Sequence, residues 1–197
     1  METFTPKTFE LGELSGISAK TIEEHLKLYK GYVTNTNLIF NKLAELKSDP
    51  EKNAYVLAEL QRRLGFEFGG MRNHEYYFSS LSGGKKEINK DGELYKKITE
   101  DWGSFENFLA HFKFVALTRG IGWSMLYFDK ISNKLIISWI DEQHLGHLAG
   151  TSLILCLDMW EHSYYLDYVP ADKKKYIESF FENLNWQVIE ENFKNSL

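Results

Sequence analysis

Asp158 and His162 stand four residues apart in the segment Asp158-Met159-Trp160-Glu161-His162-Ser163-Tyr164-Tyr165, with a second carboxylate, Glu161, between them. An unbroken apolar run, Leu153-Ile154-Leu155-Cys156-Leu157, leads straight into Asp158. A carboxylate at the end of a buried strand needs a strong partner, because an unpaired buried charge is very costly. A metal ion is one such partner, and the spacing aims both side chains into one pocket. The bland alternative is a strand-end cap beside a surface histidine. The chain has six histidines: His25, His74, His111, His144, His147 and His162. His25 lies among Ile22, Leu26 and Tyr29, and His74 lies in Met71-Arg72-Asn73-His74-Glu75-Tyr76-Tyr77-Phe78. Two helices packed as an antiparallel hairpin would bring these imidazoles together. Three imidazoles and one carboxylate suit iron, manganese or zinc, since imidazole is a borderline ligand and carboxylate a hard one.

Other chemistries find little support. No His-Glu-x-x-His motif occurs, and the single cysteine excludes a cysteine-rich zinc site. Gly83-Gly84-Lys85-Lys86 lacks phosphate-loop spacing, and Gly120-Ile121-Gly122 lacks the third glycine of a dinucleotide fingerprint. There is no Gly-x-Ser-x-Gly elbow. Cys156, inside an apolar run, reads as a small buried hydrophobe rather than a nucleophile.

The elements that must position the candidate ligands follow from patterning. Ser18 is placed to cap a helix starting near Ala19, with Thr21 and Glu24 as a competing capping box. Ile22, Leu26, Tyr29, Val33, Thr36 and Phe40 mark its face, with Gly31 as a possible interruption. Pro50 breaks the pattern and is placed to open a second helix running to about Ser80, in which Gly65, Gly69 and Gly70 would permit close approach. A polar loop at Ser82-Gly83-Gly84 divides an N-terminal helical hairpin domain, residues 1–83, from the remainder, residues 84–197. That remainder reads as a helix from Ser104 to about Arg119, strands at Gly122–Phe128, Lys134–Ile140 and Leu153–Leu157 as a meander, and a C-terminal helix from about Ala171 to Phe193. The expected class is α+β, with a three-stranded antiparallel sheet in a C-terminal α/β domain.

Composition narrows the setting. Apolar residues make up 43% and aromatics 15% of 197 residues, so the chain has the makings of a packed core. A formal charge of −5 argues against nucleic acid as the main partner. No apolar run approaches the ~20 residues of a membrane span. No secretory signal is visible at Met1-Glu2-Thr3-Phe4-Thr5-Pro6. With one cysteine and no possible internal disulfide, the expected location is the cytoplasm.

Several segments form an ordered set: Ile17-Ser18-Ala19-Lys20-Thr21-Ile22-Glu23-Glu24-His25, Tyr32-Val33-Thr34-Asn35, Asn73-His74-Glu75-Tyr76-Tyr77-Phe78, Trp102-Gly103-Ser104-Phe105 with Gly120-Ile121-Gly122-Trp123, the Asp158–Tyr165 segment, and Asn185-Trp186. In this order they resemble the iron/manganese superoxide dismutase family. The resemblance implies an enzyme that converts superoxide to oxygen and hydrogen peroxide. It implies one manganese or iron ion per subunit, held between the domains by His25, His74, Asp158 and His162. Tyr32 matches the gateway tyrosine, and Trp123 and Trp160 match aromatics walling the metal pocket. Glu161 and Tyr165 match residues of a homodimer interface. A glutamine or histidine tunes the metal in this family, supplied from one of two places. The helical place is Gly70 here, and the strand-side place is Gln143, with His144 as its neighbouring alternative and His147 as a structural residue. Glycine with strand-side glutamine resembles the manganese-preferring pattern. The rival implied by the same resemblance is a non-catalytic relative that keeps the fold as a structural or binding module. The chain departs from the commoner pattern in being one residue shorter between His25 and Tyr32, where Leu28-Tyr29-Lys30-Gly31 replaces a His-His pair. It also carries Phe78 after the second histidine and lacks the arginine often found after the last signature. Lys27, Lys30, Arg72 and Lys173 are the candidates for steering an anion to the site.

Overall fold

The computed structural model describes residues 3–197; Met1 and Glu2, the start of the segment read for a leader, lie outside them. Two long helices come first, α1 (Ala19–Leu46) and α2 (Ala54–Leu81), packed on each other as a hairpin. Ser18 caps α1: its Oγ accepts the Thr21 backbone N–H at 3.1 Å. Thr21 is therefore not the cap, and its own hydroxyl donates to Asp167 Oδ2 at 2.7 Å. The buried positions of α1, Thr21, His25, Tyr29, Val33, Thr36 and Ile39, recur at every third or fourth residue and so form one stripe. Gly31 does not interrupt the helix. Pro50 sits in the connecting turn rather than opening α2, which begins four residues later with Asn53 accepting the first backbone bond, from Leu57 N.

The second part carries α3 (Glu93–Trp102), α4 (Phe105–Ala116), β1 (Gly122–Asp129), β2 (Lys134–Asp141), β3 (Ser152–Asp158), α5 (Lys173–Glu182) and α6 (Trp186–Lys194). Single 3₁₀ turns lie at Glu161–Ser163 and Pro170–Asp172. The sheet is antiparallel with the order β2-β1-β3, which corrects the expected meander. Strand β1 is buried from Gly122 to Phe128, so it takes the centre, with both edges paired and both faces covered. Strand β2 is only partly covered and takes an edge. Strands β2 and β3 therefore run parallel to each other, and residues 142–151 must travel back along the sheet from the Gly122 end to the Phe128 end; on the way Gln143 and His144 meet Gly69 and Gly65 of the helical hairpin.

Two elements differ from the sequence expectation. Helix α3 was absent from it; three buried residues, Leu94, Lys97 and Ile98, define its inner side, and Lys97 there hides a long cation paired with Glu100 and Asp101. The expected single C-terminal helix is broken at Asn183–Asn185. The chain there pairs with the interdomain segment: Asn185 N donates to Ser80 O, Lys86 N to Leu184 O, and Trp186 N to Lys86 O. Those tertiary bonds replace the local helical ones.

The cap on α1 fixes the start of the helix that carries His25. Ser18→Ala should lower the unfolding free energy by about 1 kcal/mol, read from urea denaturation. Gly12→Ala, where an added Cβ meets nothing within 4 Å, should leave it unchanged.

Candidate metal centre

Four elements deliver four side chains to one point. His25 comes from the first third of α1 and His74 from the last third of α2. Asp158 ends β3, and His162 sits in the turn that follows. His25, His74 and Asp158 are wholly buried, and the His162 side chain is 19% exposed. Asp158 Oδ2 lies 3.1 Å from His25 Nε2, 3.3 Å from His162 Nε2 and 3.6 Å from His74 Nε2. One ligand atom from each of the four residues falls within 4.8 Å of every other. Nitrogen and oxygen atoms about 2.0–2.2 Å from a shared ion and separated by right to trigonal angles stand roughly 3–3.7 Å apart. The observed spacings around Asp158 Oδ2 therefore fit a metal ion.

The unpaired atoms fit as well. His74 Nε2 and His162 Nε2 are buried without a hydrogen-bond partner. His74 Nδ1 lies 2.6 Å from the Gly70 carbonyl oxygen, which only accepts, so Nδ1 carries the proton and Nε2 presents its lone pair. Burial pushes the pKa of His25 below the ordinary value, and burial with the neighbouring His25 pushes His74 down to about 3. Both rings are neutral at physiological pH, the state a ligand requires. Burial alone would raise the Asp158 pKa, but the charge and hydrogen bonding of His162, with the bond from His25, hold it well below the carboxylate range. The other carboxylate oxygen, Oδ1, accepts the Trp160 backbone N–H at 2.8 Å.

Aromatic rings wall the cluster. Trp123, on the register opposite Asp158, stands edge-on to His74 with centroids 5.1 Å apart. Tyr77 and Phe78 pack on His25, and Trp160 stacks on His162. Tyr32 lies against His74 at 5.1 Å. Seven residues make about two helical turns, so the shortened spacing returns Tyr32 to the face of His25 without unwinding α1. Between His25 and Tyr32, Leu28 is exposed and Tyr29 is buried. The Tyr29 hydroxyl accepts from Lys7 N and donates to Glu75 Oε1.

Gln143, wholly buried, links two of these walls. Its Oε1 accepts from Trp123 Nε1 at 3.0 Å, and its Nε2 donates to the Tyr32 hydroxyl at 3.0 Å. His144 instead packs on Phe66 and against Gly65. The glycines of α2 make this arrangement possible. A Cβ on Gly69 would stand 2.4 Å from the Gln143 carbonyl oxygen, and a Cβ on Gly70 would stand 2.5 Å from the Tyr32 ring. Glu161 and Tyr165 are exposed. Of the cations considered for steering, Lys27 pairs with Glu23 and Glu24, Arg72 pairs with Glu75, and Lys173 donates to the Thr118 carbonyl.

Sequence reasoning missed Phe66, Arg63 and Asn73. The Phe66 ring lies between Tyr32 and Trp160, with centroids 5.9 and 6.5 Å away. The Arg63 guanidinium covers Phe66 at 3.8 Å and pairs with Glu67. Asn73 donates to the Gln143 carbonyl at 3.0 Å. The signal for the first two was present in α2: Arg63, Phe66, Glu67 and Gly70 share one helical face leading toward His74.

A hairpin of helices and a helix-flanked sheet that together enclose three imidazoles and a carboxylate define a mononuclear metalloprotein. Profiles of two families match: iron/manganese superoxide dismutases, alpha-hairpin domain, over residues 9–82, and the C-terminal domain of the same enzymes over residues 90–192. The chain belongs to the iron/manganese superoxide dismutase family. It is 35% identical over 190 residues to a superoxide dismutase [Fe] of Aquifex aeolicus, covering 93% of this chain and 87% of that protein. It is 36% identical over 185 residues to a superoxide dismutase [Fe] of Cupriavidus metallidurans, covering 92% and 91%. It is 32% identical over 189 residues to a mitochondrial superoxide dismutase [Mn] of Glossina morsitans morsitans, covering 94% and 85%.

The contact between Gly70 and Tyr32 leaves no room for a side chain. Gly70→Ala should displace the Tyr32 ring, break its bond to Gln143 and destabilise the fold by about 1–3 kcal/mol. A crystal structure of the variant and its denaturation curve would check both.

Proposed function

We propose that this protein is a superoxide dismutase that holds one manganese or iron ion per subunit on His25, His74, Asp158 and His162, between the two domains 1–83 and 84–197. The carrying observation is the convergence of three imidazole nitrogens on Asp158 Oδ2 within 3.6 Å. The metal supplies one-electron chemistry, so that one superoxide is oxidised to oxygen and a second, with two protons, is reduced to hydrogen peroxide.

The residues do the remaining work. Asp158 would offset the positive charge of the ion, and the bond its Oδ1 accepts from Trp160 N fixes its orientation. The aromatic wall of Trp123, Tyr77, Phe78 and Trp160 keeps bulk water away, which strengthens every electrostatic interaction inside. Tyr32 and Gln143 form the outer part of the proton path. Burial raises the Tyr32 pKa far above the ordinary range, so the hydroxyl keeps its proton and stays available as a donor. With one N–H of Gln143 given to Tyr32 and its Oε1 given to Trp123, the second N–H is left to act on what enters the pocket and so to tune the metal's potential.

Manganese is the favoured ion, on the strand-side glutamine and on Gly70, where Tyr32 fills the space that a helical glutamine would need. Exposed Glu161 and Tyr165 support a homodimer in which Glu161 meets the ligand histidine of the other subunit. The single, buried, free Cys156 supports action in the cytoplasm. Among the described residues, no helix is long and apolar enough to cross a membrane.

Apo-protein loaded separately with manganese and with iron should dismutate superoxide faster as the manganese form. Activity in the iron form alone would refute the metal assignment. His74→Ala should lose the metal, measured by atomic emission, and all activity with it. Gln143→Ala should lose about 10–100-fold in rate while His144→Ala loses far less; the opposite order would move the role to His144. Sedimentation should give a dimer for the native protein and a weakened one for Glu161→Ala.

A further inference from the structure

Gln143 does not sit in a relaxed turn. The residue before it, Glu142, holds φ at +51°, a left-handed conformation in a residue with a side chain. That conformation costs roughly 1–2 kcal/mol and persists only where surrounding bonds impose it. The bonds are present on every side. Glu142 N donates to Ile121 O at 3.0 Å, and Glu142 O accepts from Trp160 Nε1 at 3.2 Å. Asp141 and Leu145 exchange backbone bonds across the turn. The Gln143 carbonyl accepts from Asn73 Nδ2 at 3.0 Å and faces His147 Nε2 at 3.3 Å.

His147 has a second partner. Its Nδ1 lies 2.7 Å from the Tyr127 hydroxyl on the central strand β1. A carbonyl only accepts, so Nε2 of the neutral ring carries the proton and Nδ1 accepts from Tyr127. The same hydroxyl lies 2.9 Å from Met125 Sδ, a weaker acceptor. Although His147 is exposed as a residue, partial burial of its ring lowers its pKa, which keeps the neutral form. Tyr127, His147 and the Gln143 carbonyl thus form one directed chain from the sheet to the strained turn.

The geometry points to His147 as a positioning residue that, oriented by Tyr127, locks the Gln143 backbone so that the Gln143 amide stays between Trp123 and Tyr32. Asn73 holds the same carbonyl from the helical side and His147 holds it from the sheet side, so the two halves of the molecule fix Gln143 together. The inference rests on the proposed role of Gln143, whose amide acts on the metal only if its direction is set. Removing His147 lets the Glu142 strain relax and the amide turn away, without touching a ligand.

The test uses manganese-loaded native protein and the variants His147→Ala, His147→Gln, Tyr127→Phe and Gln143→Ala. Metal content, superoxide turnover and the manganese electron paramagnetic resonance spectrum are measured on each. His147→Ala should keep its metal, lose about tenfold in turnover and shift its spectrum toward that of Gln143→Ala. His147→Gln, with an acceptor and a donor on one carboxamide, should recover most of the rate and spectrum. Tyr127→Phe should fall between the native protein and His147→Ala. A native rate and native spectrum in His147→Ala would overturn the inference. If that variant fails to fold, Tyr127→Phe decides: an unshifted spectrum at full metal content overturns it, and a shifted one supports it. A native protein that binds manganese but does not dismutate superoxide would refute the proposed function, and the spectra would still decide whether His147 sets Gln143.

Discussion

The structure depends on a carboxylate with no access to water. Asp158 is wholly buried at the end of a strand whose last residues are also buried. Burial penalises its charge, and the penalty is met in part by a backbone N–H on one oxygen and by His25 Nε2 at 3.1 Å from the other, with the His162 and His74 nitrogens close by. Burial holds His25 and His74 toward the neutral form, so these contacts leave the carboxylate charge under-compensated in an aromatic box. A cation at the centre removes that imbalance, and most of the surrounding architecture is explained by the need to bring the four groups to it. The antiparallel hairpin places His25 and His74 edge to face, with ring centroids 4.9 Å apart. The central position of β1 puts Trp123 beside Asp158 and drives the β2–β3 connection back across the pocket.

Close approach is the second constraint, and α2 meets it by omission. Two successive glycines, Gly69 and Gly70, face different intruders, the Gln143 carbonyl and the Tyr32 ring. In an isolated helix each glycine would cost about 1 kcal/mol relative to alanine. Here each removes a side chain that would push apart the groups around the pocket. The shortened stretch from His25 to Tyr32 belongs to the same logic, since a spacing of two full turns lines both residues along one stripe. Tyr29 then fills the buried position between them and ties α1 to Glu75 on α2.

Much of this was legible in the sequence. The four clustered side chains, the two-helix start, the three strands and the Ser18 cap follow from spacing, periodicity and the family resemblance. The strand order was not, because β1, interrupted by Ser124, and β3 are both mainly apolar and periodicity does not say which is central. The break at Asn183–Asn185 was hidden because its cause is pairing with Ser80 and Lys86, about a hundred residues earlier. Arg63 and Phe66 were passed over because they lie on a helix face whose relation to the site appears only after the sheet is docked. His147 read as structural, but what it supports, a strained Glu142 and the carbonyl of Gln143, is a feature of the folded turn and leaves no mark in composition.

The ligand set is also spread in time. His25 and Asp158 are 133 residues apart in the chain, and Asn183 ties itself to Ser15 across 168. A hairpin emerging during synthesis carries His25 and His74 but neither Asp158 nor His162. Contacts of such long range form late, after the loop-closure entropy has been overcome. An ion held on these four groups would bind only once both parts of the chain are in place, and its binding free energy would go into sealing them together. Chelation should accordingly loosen the junction between hairpin and sheet before it unfolds the hairpin itself.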